Sequence, residues 1–198
     1  MPTMTGFITH FWKSARRLGL VALLACCAAT ATAGSIEPLR ASITPSDDGY
    51  ALAAEFAIDL GPHLEEAITH GVTLTFNLEF TLARRRWYWI DEHVAGHTVT
   101  YRLGYNALTR QYRLSVGNFH QGFASLGETL RVLGHVGALP IEPGNAIKSG
   151  DTYVAALRLS LDKSQLPKPF QVDAIANPDW SIETKALRWQ FSPSGEGK

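Results

Sequence analysis

The chain has 198 residues, 45% of them hydrophobic and 18% charged, with 18 basic side chains balancing 18 acidic ones. That composition excludes a collagen-like, coiled-coil or wholly disordered chain, and the length suits one well-packed domain with a short segment added.

Residues 1–33 read as the added segment. Lys13, Arg16 and Arg17 precede an apolar run from Leu18 to Ala25, the small residues Ala31, Thr32 and Ala33 follow, and no acidic side chain intervenes. This is the order of a secretory signal peptide, with cleavage expected after Ala33 and delivery to the periplasm or the medium. The alternative is an uncleaved signal anchoring the chain in the membrane, although the run from Leu18 to Ala33 is shorter than the ~20 apolar residues that span a bilayer. Leu23, Leu24, Ala25 and Cys26 resemble a lipoprotein box, with Leu24 bulky where a smaller residue is usual. Removing the segment takes three cations and no anion from a balanced chain, leaving a formal net charge of −3, and takes both cysteines, Cys26 and Cys27. The mature chain, residues 34–198, is then a single domain without a disulfide, a zinc-thiolate site or a cysteine nucleophile. Its slight acidity argues against nucleic acid as a partner.

Alternation dominates the mature chain. Leu52, Ala54, Phe56, Ile58 and Leu60 form one face of a strand from Tyr50 to Leu60, and Val72 to Leu82 is a longer strand with threonines, Asn77 and Glu79 on its polar side. Between them, Pro62 and Gly71 bracket a short helix. Thr98–Tyr105 and Gln111–Val116 pair as a hairpin across NALTR. Phe123, Leu126, Leu130 and Leu133 repeat at helical spacing up to His135, after which Pro140, Pro143 and Gly144 break the chain. Tyr153–Leu161 and Lys185–Phe191 alternate again, joined through a loop containing Pro167 and Pro169. Short, frequent strands without intervening long helices predict an all-β fold, an immunoglobulin-like antiparallel β-sandwich with one or two short helices in its connections.

The stretch RRRWYWIDEH, Arg84 to His93, is the most unusual. Unbroken alternation from Leu82 would turn Arg84 and Arg86 inward, and burying unpaired guanidinium groups is several kcal/mol unfavourable. A register-shifting bulge between Ala83 and Arg86, with Trp87 and Trp89 on the core face, avoids this. Read functionally, Arg84, Arg85, Arg86, Trp87, Trp89 and Asp91 form an aromatic and cationic surface for a sugar, a lipid head group or a peptide. Read structurally, they are a core tryptophan pair with solvated or carboxylate-paired arginines. Arg102, Arg110 and Arg113 lie on the neighbouring hairpin and would add to a positive field if they shared a face with Arg84 to Arg86. Pro167, Pro169 and Phe170 present either a rigid sheet-crossing connection or a stiff loop with Phe170 as an anchor for a partner.

Asp91, Glu92, His93 and His97 supply residue types for a metal or acid-base site. The H-x-x-x-H spacing has meaning only on a helix, and a strand end with a Gly96 loop is expected here. His63, Glu66 and His70 would share a face of the short helix, as a surface feature. No nucleophile elbow or phosphate-binding glycine loop follows a strand, so no catalytic residues, metal or cofactor are assigned.

The segments RRRWYWIDE, YRLGYNALTRQYRLS, LDKSQLPKPFQV, NPDW and LRWQF, in that order, resemble the bacterial family DUF4390 from about Ile36 to Phe191. The resemblance implies an exported bacterial protein with no established activity, cofactor or ligand, and carries a hint of envelope signalling. The expected function is a periplasmic, non-enzymatic binding or adaptor module touching an envelope or membrane protein or an anionic envelope component. The alternative is a metal-dependent or acid-base hydrolase using Asp91, Glu92, His93 and His97.

Overall fold

Two antiparallel sheets, each burying one face of its alternating strands, build the described part of the chain. The computed structural model describes residues 34–193 except Asp48, residues 87–90, residues 142–146 and Ser149. Its strands, among the described residues, are β1 (Ser35–Ser46), β2 (Gly49–Asp59), β3 (Leu74–Arg84), β4 (Glu92–Asn106), β5 (Gln111–Val116), β6 (Phe119–Phe123), β7 (His135–Pro140), β8 (Tyr153–Leu161) and β9 (Leu187–Phe191). The smaller sheet has the order β1-β2-β7 and the larger one β6-β5-β4-β3-β8-β9. This is the expected all-β sandwich. The strands β3 to β6 form a continuous meander in one layer, with β8 and β9 added on the far side of β3.

The periodicity that predicted β3 also sets the core. Leu74, Phe76, Leu78, Phe80 and Leu82 are almost fully buried and meet Leu52, Ala54 and Phe56 of β2 in one cluster. Each such large side chain contributes roughly 1.5–3 kcal/mol by leaving water. The polar side of β3 carries Asn77, Glu79 and Thr81, partly or fully exposed.

Among the described residues, three nine-residue α-helices pack on this core: α1 (Gly61–Thr69), α2 (Leu126–Gly134) and α3 (Lys168–Ala176). Pro62 lies in the first turn of α1, and Gly71, at φ 89°, follows its end, as the sequence predicts. The helix expected from Phe123 is shorter. Ser125 accepts a hydrogen bond from Glu128 N at 3.2 Å and so starts α2 at Leu126, leaving Phe123 in strand β6. α2 leads directly into β7, and a Cβ on Gly134 would lie 2.4 Å from the Phe56 carbonyl oxygen, so only glycine allows this approach to β2.

The segment after β8 departs furthest from expectation. Pro167 and Pro169 do not hold a loop open; they sit at the cap and in the first turn of α3, where a missing N–H is harmless. Phe170 turns inward onto Trp180, 5.6 Å between ring centroids, and is not a presented anchor. Strands β1, β6 and β7 also lie outside the sequence-predicted set.

Candidate binding face on the larger sheet

The arginine-rich end of β3 and the outer face of the β4-β5-β6 meander are two separate places. At the first, β3 and β8 stay in unbroken register from Phe76↔Leu161 to Arg84↔Tyr153. The irregularity lies between Leu82 and Ala83 against β4, where Leu82 faces Ala95 and Ala83 faces His93, so the extra residue is Val94 on β4. The bulge expected within Ala83–Arg86 is therefore absent, and Arg84 keeps the core-side parity that the sequence argument rejected. The reason is the company it finds at the sheet's end. Arg84 Nε lies 3.4 Å from an Asp151 carboxylate oxygen, its Nη1 3.8 Å from Glu92, and its guanidinium 5.9 Å from the Tyr153 ring centre, leaving the side chain 23% exposed. The Nε proton itself is buried without an aligned acceptor.

Arg86 is exposed and donates to Glu92 at 2.5 Å. That hydrogen bond, ahead of the charges of Arg86 and Arg84, holds the Glu92 carboxyl below its ordinary value. Arg85 is exposed while its backbone N–H donates to the Thr152 carbonyl at 3.1 Å. Asp91 is exposed at the entrance to β4. Trp87 and Trp89 lie outside the described residues. The cationic end of β3 is thus largely met by carboxylates.

The histidines of this region stand on a strand and not in a loop. Glu92, His93 and His97 belong to the 15-residue β4, and Gly96 is paired within it to Thr81. Glu92 is engaged by Arg86 and Arg84, and among the described residues no three His, Cys, Asp or Glu side chains are gathered to hold a metal ion. His63 on α1 leans edge-on against Trp180 at 4.9 Å, 3.8 Å from Asp173. It serves packing between α1 and the segment after α3.

The second place is built by register. Tyr101, Leu103 and Leu114 face the core, so Arg102, Arg113 and Ser115 face outward. One cross-strand row runs Arg102, Ser115, His120; the next runs Gly104, Arg113, Gly122. Side chains opposite one another in such rows stand about 4.5–5.5 Å apart at Cβ, and diagonal neighbours about 7–8 Å. His120 Nδ1 and Ser115 Oγ share a hydrogen bond at 2.8 Å. Among the described residues neither Arg102 nor Arg113 has an ion-pair or side-chain hydrogen-bond partner. Glu79, on the same outer side of the sheet, is already bonded to Arg158 at 2.9 Å.

Two adjacent depressions mark this face. One of about 120 Å³ is lined by Thr100, Arg102, Ser115 and Gly117; the other, about 230 Å³, has Arg113, His120 and Gly122 in its wall together with Thr109 and Gln111. Among the described residues no carboxylate lines either. Arg110 closes the hairpin tip nearby, in the left-handed region at φ 53°. Sequence reasoning singled out Arg102, Arg110 and Arg113 for a positive field if they shared a face with Arg84 to Arg86. Arg102 instead pairs with Thr75, and Arg84 with Glu92, at opposite ends of the β3–β4 ladder. Ser115 and His120 escaped notice, although the Gly117-Asn118 pair between β5 and β6 is a two-residue hairpin signal.

The family model described as a domain of unknown function, DUF4390, matches residues 33–190. The chain belongs to the DUF4390 family. Comparison with curated proteins and with solved structures finds no match. The DUF4390 match takes in both rows of the outer face and the whole of the Arg84–Glu92 end. Among the described residues of this DUF4390 chain, no helix is long and apolar enough to cross a membrane.

Proposed function

We propose that this DUF4390 chain is an exported, non-enzymatic binding or adaptor module of the bacterial envelope, linked to envelope signalling, and that it holds its partner on the outer face of β4, β5 and β6. The basic, apolar and small-residue order of residues 1–33 supports export. One observation carries the binding reading. Among the described residues, Arg102 and Arg113 have no ion-pair partner and lie on one face with His120, whereas Arg84, Arg86 and Arg158 each meet a carboxylate. An uncompensated cationic patch on a slightly acidic domain attracts an anionic partner and steers its approach.

The test is fractionation of cells combined with a photo-crosslinking side chain introduced in place of Gln111, on this face, or Leu39, 61% exposed on the smaller sheet. The expected result is protein in the periplasmic fraction and a discrete envelope adduct from position 111 alone. Retention of the intact chain in the cytosol, or equal adducts from both positions, would refute the proposal.

A further inference from the structure

We infer that the paired rows on β4, β5 and β6 form a site for a phosphoryl group, with Arg102 and Arg113 as its cations and Ser115 and His120, in the row of Arg102, as hydrogen-bonding partners. The inference deepens the binding reading by naming the ligand's chemistry, and it uses the same face.

The two glycines carry the argument. Gly104 and Gly122 are the cross-strand neighbours of Arg113 on either side, so neither position directly opposite it carries a side chain. Neither glycine has a positive φ. A Cβ on Gly104 would come no nearer than 3.4 Å to Thr73 Oγ1, and one on Gly122 would meet only the mobile end of Gln111, at 3.3 Å. Packing and backbone conformation therefore do not demand glycine at these positions, yet glycine weakens a strand interior. Two glycines flanking an arginine that has no partner among the described residues leave room for close approach of a ligand.

The donor set selects the ligand. Guanidinium groups match both carboxylate and phosphate oxygens. A carboxylate presents two oxygens in one plane, which a single arginine satisfies. Here donors come from three strands of one face: Arg102 on β4 and Ser115 on β5 line the smaller depression, and Arg113 on β5 and His120 on β6, whose Nε2 is left over from the bond to Ser115, line the larger. A tetrahedral phosphoryl group offers three oxygens and a charge of about −1.5 to −2, and it answers that arrangement. The depressions are shallow and open, so the remainder of the ligand stays outside, as with a lipid head group or a free phosphate.

The full exported chain would be titrated with inorganic phosphate while the side-chain resonances of Arg113 and His120 are followed by NMR. Acetate serves as the carboxylate control, and co-sedimentation with phosphatidylglycerol or phosphatidylcholine vesicles separates the sources. The expected result is that phosphate or phosphatidylglycerol vesicles bind, acetate and phosphatidylcholine do not, and Arg113→Ala weakens binding at least tenfold. Gly122→Val should weaken binding similarly while leaving the melting temperature unchanged or higher, which distinguishes a filled site from a damaged fold. Binding of vesicles alone assigns the head group, and binding of phosphate alone assigns a soluble ligand. The inference is overturned if neither probe binds, if acetate matches phosphate, or if Arg113→Ala and Gly122→Val bind as the parent does. A position-111 adduct in cells with no response to these probes would sink the phosphoryl assignment while leaving the adaptor role standing.

Discussion

The indole N–H of Trp180 donates to the carboxylate of Asp173 at 2.7 Å, fastening helix α3 to a side chain that is only 1% exposed. α3 needs this fastening because Ala174 is its one buried residue, while Val172 and Ile175 are 71% and 88% exposed. Asp173→Ala should therefore destabilise the protein by about 1–2 kcal/mol, the cost of leaving a buried donor unmet. Asp173→Asn, which retains an acceptor, should cost less. Urea denaturation gives the energies, and faster amide exchange in α3 of the alanine variant checks their location.

Gly134 should tolerate no side chain. Gly134→Ala drives a methyl into the Phe56 carbonyl, and overpacking of this kind costs typically about 1–3 kcal/mol. Gly137→Ala, three residues on, meets nothing within 4 Å and should change stability little. Thermal denaturation of the two variants side by side decides the matter; equal melting temperatures would remove the close contact between α2 and β2.

Arg110 holds a left-handed backbone conformation at the β4–β5 turn, where Asn106 Oδ1 accepts from the N–H groups of Leu108 and Thr109. An L-residue there costs roughly 1–2 kcal/mol, of which glycine returns about 0.5–1 kcal/mol through its greater freedom when unfolded. Arg110→Gly should accordingly raise stability by about 0.5–1 kcal/mol, read as a higher urea midpoint at unchanged slope.

Glu92 should titrate below the ordinary glutamate value of 4.5, because Arg86 bonds its charged form. A folded-state value lower than the unfolded one means that the pair's stabilisation is fully present above 4.5 and is lost as pH falls through the lower folded value. Arg86→Ala should move the carboxyl resonance midpoint upward, with the nearby Arg84 limiting the change. A midpoint indifferent to Arg86 would show that the contact does not persist in solution.

Legibility followed the number of faces a segment presents. β2, β3, β5 and β8 have one dry and one wet side, so alternation alone located them, and the β4–β5 hairpin followed from its short loop. β1 was hidden because Pro38 and Pro45 interrupt it and Leu39 is an extra residue at a bulge, both tolerated at a sheet edge. β6 exposes Phe119, His120, Gln121 and Gly122 and buries only Phe123, so it carries no alternating signal. α3 lacks a defined apolar face, and its two prolines suggested a loop when they mark a helix start. At the arginine cluster the physical rule was sound, but Asp151, remote in sequence, supplied the missing partner. The binding face depends on which residues lie opposite one another, and that pairing is a property of three strands together.

Strand β3 lies between β4, which follows it almost at once, and β8, which begins at Tyr153. Its second edge thus stays open while some seventy further residues are delivered, and its five large apolar side chains lie in the core. A chain halted before Tyr153 would present that row of unsatisfied amides to its neighbours, so premature termination should yield clumped material, and a helper that shields unpaired strands would be needed until the last quarter of the polypeptide arrives.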